Sequence, residues 1–361
     1  MILIKTYQDY IIKSFLKYIL IIFGVFTCLI FILNVLEELK FFENSNLSIF
    51  YPIFLTLLNT PSLIFEIFPF IFLLSTQMLF IKLYDKKELD IFKNFGLTNF
   101  KIIKVLLFTS LIFGLIFNTV FYTFSSKLKN NYLSFKNNFT NDNKYLAIVN
   151  ENGLWIKDEI NNKINIINAD EFIGNQLNSI TITQLDKNFN LMKTFISDSA
   201  NINNNNWELK SVEIFEYDGK RKKKELLDFE TNFNKNKIKS LFSNLSSLNF
   251  LQLKELYNDY KSVGYSTSEV EGYLNKLYSY PIYLMIMTII GSILMLHIKN
   301  FDSKIFNIVA GILFSVIVYY INYFFGVLGD NGKLPIILSI WLPLLILIII
   351  CSIGLVTINE K

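Results

Sequence analysis

Six long apolar stretches divide the chain, three before a polar central region and three after it. A helix needs about 20 apolar residues to cross a hydrocarbon core of about 30 Å, and each stretch is about that long. The predicted spans are Tyr18–Leu36, Leu63–Leu83, Ile103–Phe124, Leu277–Leu296, Ile305–Val327 and Pro335–Leu355. The second stretch belongs to a longer, proline-containing apolar region, so we expect a separate approach segment at the outer surface up to Thr60.

The central region alternates apolar and polar positions over short segments that Asn, Asp and Gly separate. Such period-two alternation is typical of strands, and Asp218-Gly219 is a hairpin signal. The predicted strands are Tyr145–Val149, Gly153–Lys157, Ile164–Ile167, Ile180–Gln184, Trp207–Tyr217 and Leu226–Thr231. We therefore expect a small all-β sandwich or jelly roll from about Lys144 to Phe233, followed by a surface helix over Ser247–Tyr260.

These patterns predict an α-helical membrane protein with six transmembrane helices (3+3) and an inserted all-β, jelly-roll-like domain. The expected domains are an N-terminal bundle (1–125), the β domain with flanking helical connectors (126–270) and a C-terminal bundle (271–361). Composition agrees, because 52% of the residues are hydrophobic and only 18% are charged. Soluble globular chains carry about 25% charged residues.

The few charges and thiols exclude several function classes. A net charge of +4 with scattered basic residues gives no electrostatic footprint for nucleic acid, so we expect no nucleic-acid partner. The chain contains one histidine, His297, and two cysteines, Cys28 and Cys351, which lie in apolar runs. Metal and acid–base sites draw on several such groups, so we expect neither a metal site nor a catalytic site.

The distribution of lysine predicts the orientation. The loop between spans two and three is rich in Lys, whereas the loop after span one offers Lys40 among several acidic residues. Cytoplasmic loops hold the excess of positive charge, so we expect both termini in the cytoplasm and the β domain outside. The first span is longer than the apolar core of a signal peptide and lacks a cleavage site, so we expect it to be retained.

The cytoplasmic loop 84–101 carries the strongest interaction signal. Leu89, Phe92 and Phe95 recur at about helical spacing, and Gly96 then ends the pattern. One interpretation is a short helix, with Glu88 exposed, that fits into a groove of a cytoplasmic partner. The alternative is a solvated helix that lies on the bilayer, and spacing alone does not separate the two.

Two charged features have double interpretations. Glu66 is an intramembrane carboxylate near the start of span two, where it is either a proton or ion site or reaches interfacial water. The basic run Lys220–Lys224 in the β domain either attracts anionic lipid headgroups or is a solvated hairpin tip. No phosphate-binding loop is present, since Gly326 through Gly332-Lys333 has the wrong spacing. ATP-driven work would therefore need a separate cytoplasmic subunit.

The layout and several motifs resemble the LptF/LptG permeases of the lipopolysaccharide export ABC transporter, with LptG the more similar of the pair. The motifs are Asp9-Tyr10-Ile11 with Lys13, Pro61, Phe68-Pro69, Glu88-Leu89 followed by Gly96, Gly153-Leu154-Trp155-Ile156-Lys157-Asp158, and Phe325-Gly326. The Gly-Leu-Trp-Ile-Lys-Asp stretch is the most specific of these. The likeness runs through nearly the whole chain.

The resemblance implies a bacterial inner-membrane permease that forms a heterodimer with an LptF-like partner. Its other partners would be a cytoplasmic ATPase dimer, a periplasmic bridge protein, a single-span LptC-like component and lipopolysaccharide itself. The chain would need no cofactor, because ATP is used by the ATPase subunit. Spans one and five would form lateral gates through which lipopolysaccharide enters from the outer leaflet.

The resemblance also implies two sets of site residues. The ATPase-coupling helix would comprise Glu88, Leu89, Asp90, Ile91, Phe92, Phe95 and Gly96. The lipopolysaccharide-binding residues would be Lys40, Asn34, Phe26, Phe31, Phe65 and Phe68. One position departs from the family pattern: Asn34 stands where a basic residue facing the lipid A phosphates is expected, which leaves Lys40 as the nearest cation.

Two other functions remain open at this point. In the first, the β domain is a ligand-binding sensor or scaffold that the spans anchor. In the second, the protein is a proton-coupled secondary transporter that uses Glu66, although no inverted repeat is apparent in the sequence.

Overall fold

The computed structural model describes residues 6–43, 48–137, 154–160, 163–173, 175–216, 219–235, 238, 244–262, 266–297 and 304–359. The chain forms two compact units. A helical unit comprises Met1–Lys129 and Glu271–Lys361, and a second unit comprises Asn130–Val270.

Long helices make up nearly all of the first unit. In chain order, the helices of the protein are α1 Thr6–Phe41, α2 Phe50–Asp85, α3 Glu88–Asn94, α4 Asn99–Ile116, a π-helical turn Phe117–Phe121, α5 Tyr122–Asn137, α6 Phe250–Ser262, α7 Ser268–His297, α8 Lys304–Asp330 and α9 Ile336–Asn359. Six of the described helical segments are long and apolar enough to cross a membrane, which confirms the six predicted spans. The third of them is continuous through α4, the π-helical turn and α5.

The approach segment predicted before span two is wrong, because α2 is one helix of 36 residues with Pro61 and Pro69 inside it. Proline lacks the N–H that would bond the carbonyl four residues earlier. The Phe65 carbonyl, which Pro69 leaves without this donor, accepts a hydrogen bond of 2.7 Å from the Tyr280 hydroxyl on α7. A side chain of another helix thus satisfies the open carbonyl, and the helix continues through the proline.

A side chain from another helix also satisfies an open carbonyl in α7, where Pro281 lies inside the helix. The carbonyl of Leu277, four residues before this proline, accepts a 2.7 Å hydrogen bond from the Asn118 amide. Asn118 belongs to the π-helical turn of the third span. The turn therefore places a polar side chain against the interrupted helix.

Helices α2 and α7 form the interior of the helical unit. In their most apolar 18-residue windows 72% and 56% of the residues are buried, compared with 11% for α1 and 17% for α8. Stacked phenylalanines fill the centre, and Phe68 and Phe117 have ring centroids 3.8 Å apart. Gly311 leaves space for the buried Gln77 amide, which donates a 2.8 Å hydrogen bond to the Asn307 carbonyl.

The second unit contains one antiparallel sheet of six described strands in the order β1 to β6. The strands are β1 Leu154–Ile160, β2 Lys163–Ile173, β3 Gln176–Leu185, β4 Leu191–Asn201, β5 Asn206–Glu216 and β6 Arg221–Glu230. An inserted all-β domain is confirmed. Every described strand pairs with its sequence neighbour, so the connections are those of a meander and not those of a jelly roll.

One described strand was missed by the sequence prediction. Strand β4 was not predicted, because its polar residues hide the alternation that buries Phe195 and Ser197. The predicted strand Tyr145–Val149, the start of the predicted domain at Lys144, Gly153 and the hairpin residue Asp218 lie outside the described residues. The predicted surface helix is present as α6, where Asn249 and Gln252 cap each other's backbone N–H groups.

A buried carboxylate on β1 binds the segment that follows β6. Asp158 on β1 is fully buried and accepts hydrogen bonds from the Thr231 hydroxyl at 2.7 Å and the Asn232 amide at 2.8 Å. Leu154 and Ile156 on the same strand are 1% exposed, whereas Trp155 is 56% exposed. The Leu-Trp-Ile-Lys-Asp motif therefore supplies two core residues and an anchor for the segment after β6.

Candidate functional site

The short helix predicted within loop 84–101 is present as α3, and its sequence determines both ends; its coupling role stays a prediction. The left-handed residue Lys87 (φ 54°) turns the chain out of α2, and Gly96 (φ 75°) ends the helix. The N–H of Gly96 bonds to the carbonyl of Lys93, and the N–H of Leu97 bonds to that of Phe92 at 3.0 Å. This is a Schellman motif, for which glycine is suited because it lacks Cβ. The helix is a short element with defined ends.

One face of α3 packs against the helical unit and the other is open. Leu89 is 2% exposed, and Phe92 is half-buried with its ring edge towards Tyr10. Ile91 is 48% and Phe95 82% exposed, four residues apart on the same side of the turn. Asp90 and Gly96 are also exposed. An exposed aromatic ring beside an isoleucine and a carboxylate is a surface that a protein groove can cover.

Glu88, the first residue of α3, is bonded to the first span. The hydroxyl of Tyr10 on α1 lies 2.7 Å from each carboxylate oxygen of Glu88. The ammonium group of Lys82 lies 4.5 Å above the Tyr10 ring. Sequence reasoning missed this contact, although Tyr10 belongs to the quoted Asp9-Tyr10-Ile11 motif, because nothing in the spacing links two residues 78 positions apart.

The first and fifth spans are the least buried of the six, with 11% and 17% of the residues buried in their most apolar windows. On α1, Val25, Leu29, Ile32 and Leu36 form a stripe at helical spacing, each 49% to 59% exposed. On α8, a similar stripe contains Leu313, Val316, Tyr320 and Tyr323. Surfaces of this kind contact lipid or another membrane-embedded chain.

The predicted lipid-binding phenylalanines occupy two kinds of position. Phe26 and Phe31 on α1 are half-buried, and Phe26 packs edge-on against Phe70 at 5.3 Å. Phe65 and Phe68 are 7% and 1% exposed inside the bundle, where Phe65 stacks on Tyr280 at 4.4 Å. In this structure both are core residues, and the lipid contact expected of them stays a prediction.

The polar residues near the end of α1 form a small network. Asn34 is 3% exposed and accepts a 3.4 Å hydrogen bond from the Asn59 amide. The Asn59 side-chain oxygen accepts a hydrogen bond from the ammonium group of Lys129 on α5. The Asn34 amide nitrogen is buried and has no hydrogen-bond partner among the described residues. Lys40 lies exposed in the last turn of α1. Sequence spacing gave no signal for Lys129, because it belongs to a different helix.

Glu66 lines a cavity of about 470 Å³ between α2, α7, α8 and α9. Lys276, Tyr280 and Tyr323 also line it. Lys276 and Lys129 attract the Glu66 carboxylate through space, and no described residue forms a hydrogen bond or close ion pair with it. Glu66 is therefore an acidic group on a mixed aromatic and polar cavity wall.

The basic run lies at the start of β6 and is paired across the sheet. Glu213 on β5 binds Lys223 at 2.6 Å and also binds Arg221. These two hydrogen bonds, Lys223 first, lower the pKa of Glu213. Glu216 binds Lys222 and Lys193, each at 3.1 Å. Carboxylates of the neighbouring strand thus offset part of the positive charge.

The family comparison covers this whole arrangement. A family model described as lipopolysaccharide export system permease LptF/LptG matches residues 9–357, from the first turn of α1 to the last turn of α9. A comparison with curated proteins finds no match. The family model does not separate LptF from LptG, so the closer likeness to LptG stays a prediction. With its six membrane-spanning helices and inserted β domain, the chain belongs to the LptF/LptG family of lipopolysaccharide export permeases.

Proposed function

We infer that this chain is the membrane subunit through which an ABC transporter extracts lipopolysaccharide from the outer leaflet of the bacterial inner membrane. A separate cytoplasmic ATPase dimer hydrolyses the ATP, and the termini of the chain lie on its side. The observation that carries the ATP-driven mechanism is α3, which presents Ile91 and Phe95 to solvent beside the acidic residues Glu88 and Asp90. A groove with an apolar floor and a basic rim is the complementary surface.

The exposed stripes on α1 and α8 support a second permease chain. A heterodimer with an LptF-like partner brings span one of each chain against span five of the other, which covers part of both stripes. The remaining apolar surface then lines a cavity between the two chains. Opening of either contact admits lipid from the side, so these contacts act as lateral gates.

Such a cavity reduces the energy that extraction requires. Transfer of acyl chains from the bilayer to water costs about 0.8 kcal/mol per CH₂, or about 8 kcal/mol for each ten methylene groups. Apolar residues such as Val25 and Leu29 on α1 and Leu313 on α8 recover much of this cost by keeping the chains out of water. Closure of the cavity, driven by ATP, then expels the lipid towards the β domains, a bridge protein and an LptC-like component.

The headgroup phosphates would meet two lysines near the periplasmic end of span one. Lys40 is exposed in the last turn of α1, and Lys129 lies beside Asn59 and Asn34. Lys129 is a cation whose ammonium group donates a hydrogen bond to the Asn59 side-chain oxygen. In this proposal Lys129 supplies the positive charge that position 34 lacks.

Co-purification tests the coupling surface. The chain is expressed with its partner permease and the ATPase, and the Phe95→Asp and Glu88→Lys variants are compared with the wild type. Both substitutions are expected to reduce the amount of bound ATPase at least about tenfold, because they place a wrong charge in the groove. Leu251→Asp is the matched control, since Leu251 is 71% exposed on α6. Wild-type recovery of the ATPase with both α3 variants would reject the proposal.

Glu66 supports a second candidate, a proton-coupled transporter, because its carboxylate faces a cavity without a direct partner. The two mechanisms differ in vesicles without ATP. Lipid movement driven by a proton gradient alone, and abolished by Glu66→Gln, would favour the second candidate. Movement that requires ATP and persists in Glu66→Gln would favour the first.

A further inference from the structure

We propose that Tyr10 is a positioning residue that ties the first membrane span to α3, so that a displacement of α3 by the ATPase moves α1 directly. The inference rests on the proposed function, since it concerns how work done on α3 reaches a gate helix. It adds a residue outside the coupling helix to the coupling machinery. The link is one hydroxyl group and its carboxylate partner.

The contact between Tyr10 and Glu88 is short, and the one hydroxyl hydrogen is shared between the two carboxylate oxygens. The hydroxyl oxygen lies 2.7 Å from both carboxylate oxygens, which is the usual length for an O–H donor. Hydrogen bonds to an ionised acceptor are about twice as strong as neutral ones. Since Glu88 is the first residue of α3, the bond holds the helix at its very start.

Two further contacts fix the Tyr10 ring. It forms an edge-to-face pair with Phe92 of α3, with centroids 6.5 Å apart and an interplanar angle of 72°. On α2, the ammonium group of Lys82 lies 4.5 Å from the ring centroid and donates a 2.9 Å hydrogen bond to Ser14 of α1. One residue of α1 therefore contacts both ends of the turn that joins α2 to α3.

A neutral donor suits this position better than a cation. A tyrosine hydroxyl satisfies one acceptor site of Glu88 and leaves the negative charge of the carboxylate in place. An ionised carboxylate has about four acceptor sites, so Glu88 can bind Tyr10 and a basic side chain of the ATPase together. A lysine at position 10 would instead neutralise the charge that the groove recognises.

The contact also gives the Asp9-Tyr10-Ile11 motif a structural role. Ile11 is fully buried and anchors α1 in the bundle, while Tyr10 is directed to α3. Asp9 pairs with Lys13 at 2.7 Å, but these side chains are 49% and 75% exposed, and such pairs contribute little. Of the three residues, only Tyr10 links α1 to the coupling helix.

The test is Tyr10→Phe in the complete transporter reconstituted in vesicles that contain lipopolysaccharide. This change keeps the ring contacts with Phe92 and Lys82 and removes only the hydroxyl group. We expect ATPase recovery and basal ATP hydrolysis to stay at wild-type levels. We expect the amount of lipid extracted per ATP to fall about threefold to tenfold, the range for loss of one partly exposed hydrogen bond to a charged group.

Two comparisons make the result specific. Tyr18→Phe is the matched control, because the Tyr18 hydroxyl on the same helix makes no hydrogen bond to any described residue. This variant should show the wild-type ratio. In a Glu88→Ala background, Tyr10→Phe should cause no further loss, since its partner is already absent. A wild-type ratio for Tyr10→Phe, an equal loss in Tyr18→Phe, or additive losses with Glu88→Ala would overturn the proposal. Failure of the wild-type complex to extract lipid with ATP would instead refute the proposed function.

Discussion

The hydrogen bond from Tyr280 to the Phe65 carbonyl predicts a measurable cost for Tyr280→Phe. Tyr280 is 8% exposed, and its ring stacks on Phe65, a contact that phenylalanine retains. The substitution therefore removes one donor and leaves a buried carbonyl that Pro69 cannot serve. An unsatisfied buried group costs about 1–3 kcal/mol, and interhelical hydrogen bonds in membranes reach about 1.7 kcal/mol. We expect a destabilisation of about 1–2 kcal/mol.

The assay is unfolding of the full-length chain in mixed micelles with increasing dodecyl sulfate. The decisive comparison is Pro69→Ala, which restores an N–H that bonds to the Phe65 carbonyl within α2. In the Pro69→Ala background, Tyr280→Phe should cost less than half of its value in the wild type. Tyr320→Phe, which alters a hydroxyl on a residue that is 63% exposed, serves as the control. Equal costs of Tyr280→Phe in both backgrounds would refute the reasoning.

Four other outcomes follow from the structure. Gly311→Ala should destabilise the helical unit by about 1–3 kcal/mol, because the added Cβ would overlap the buried Gln77 amide. A smaller loss of stability in a Gln77→Ala background would support this cause, and an equal loss would contradict it. Asp158→Ala should cost about 3 kcal/mol by chemical denaturation followed through tryptophan fluorescence, whereas an unchanged midpoint would exclude an anchoring role. The hydrogen bonds that lower the pKa of Glu213 stabilise the sheet above the unfolded-state pKa of about 4.3, and this stabilisation is lost as pH falls through the lower folded-state pKa. Glu213→Gln should therefore make the free energy of unfolding less dependent on pH in the acid range, and an unchanged pH dependence would show that these pairs do not stabilise the sheet. Lys40→Glu should reduce lipopolysaccharide-stimulated ATP hydrolysis at least about threefold in the assembled transporter, and unchanged stimulation would remove Lys40 from the headgroup site.

Apolar length predicts membrane spans well, because hydrocarbon allows few alternatives to a helix. All six spans are predicted in this way. The inserted β domain is predicted from period-two alternation, and the helix at Glu88 from the helical spacing of its apolar residues. The break expected at Thr60 is wrong, because α2 continues through both Pro61 and Pro69. At Pro69 the sequence nearby could not show this, since the hydroxyl that bonds to the open Phe65 carbonyl belongs to Tyr280, 215 positions away. Strand β4 is missed for a related reason, since its register with β3 and β5, and not its own pattern, decides which of its residues are buried.

In the candidate site, too, features with local sequence signals are predicted and contacts between distant helices are not. Helix α3 is predicted because its signals, Leu89, Phe92 and Gly96, are local. The partners of Glu88 and Asn34 are not predictable, since Tyr10 and Lys129 reach them from other helices. For the phenylalanines, composition suggests a lipid-facing wall. In the structure, however, Phe65 and Phe68 are buried, because they stack on Tyr280 and Phe117 inside the bundle.

The polar contacts between α2 and the last spans have a consequence for how the protein is made. The bonds from Tyr280 to Phe65 and from Gln77 to Asn307 join residues that are 215 and 230 positions apart. The first three spans therefore leave the ribosome with an open carbonyl at Phe65 and an unmatched amide at Gln77, and the whole β domain is synthesised before their partners appear. During that interval these two polar groups lack the partners that the finished bundle gives them, and an unpaired polar group in an apolar environment is costly. The polar groups inside α2 are therefore satisfied only once the fourth and fifth spans have packed against it.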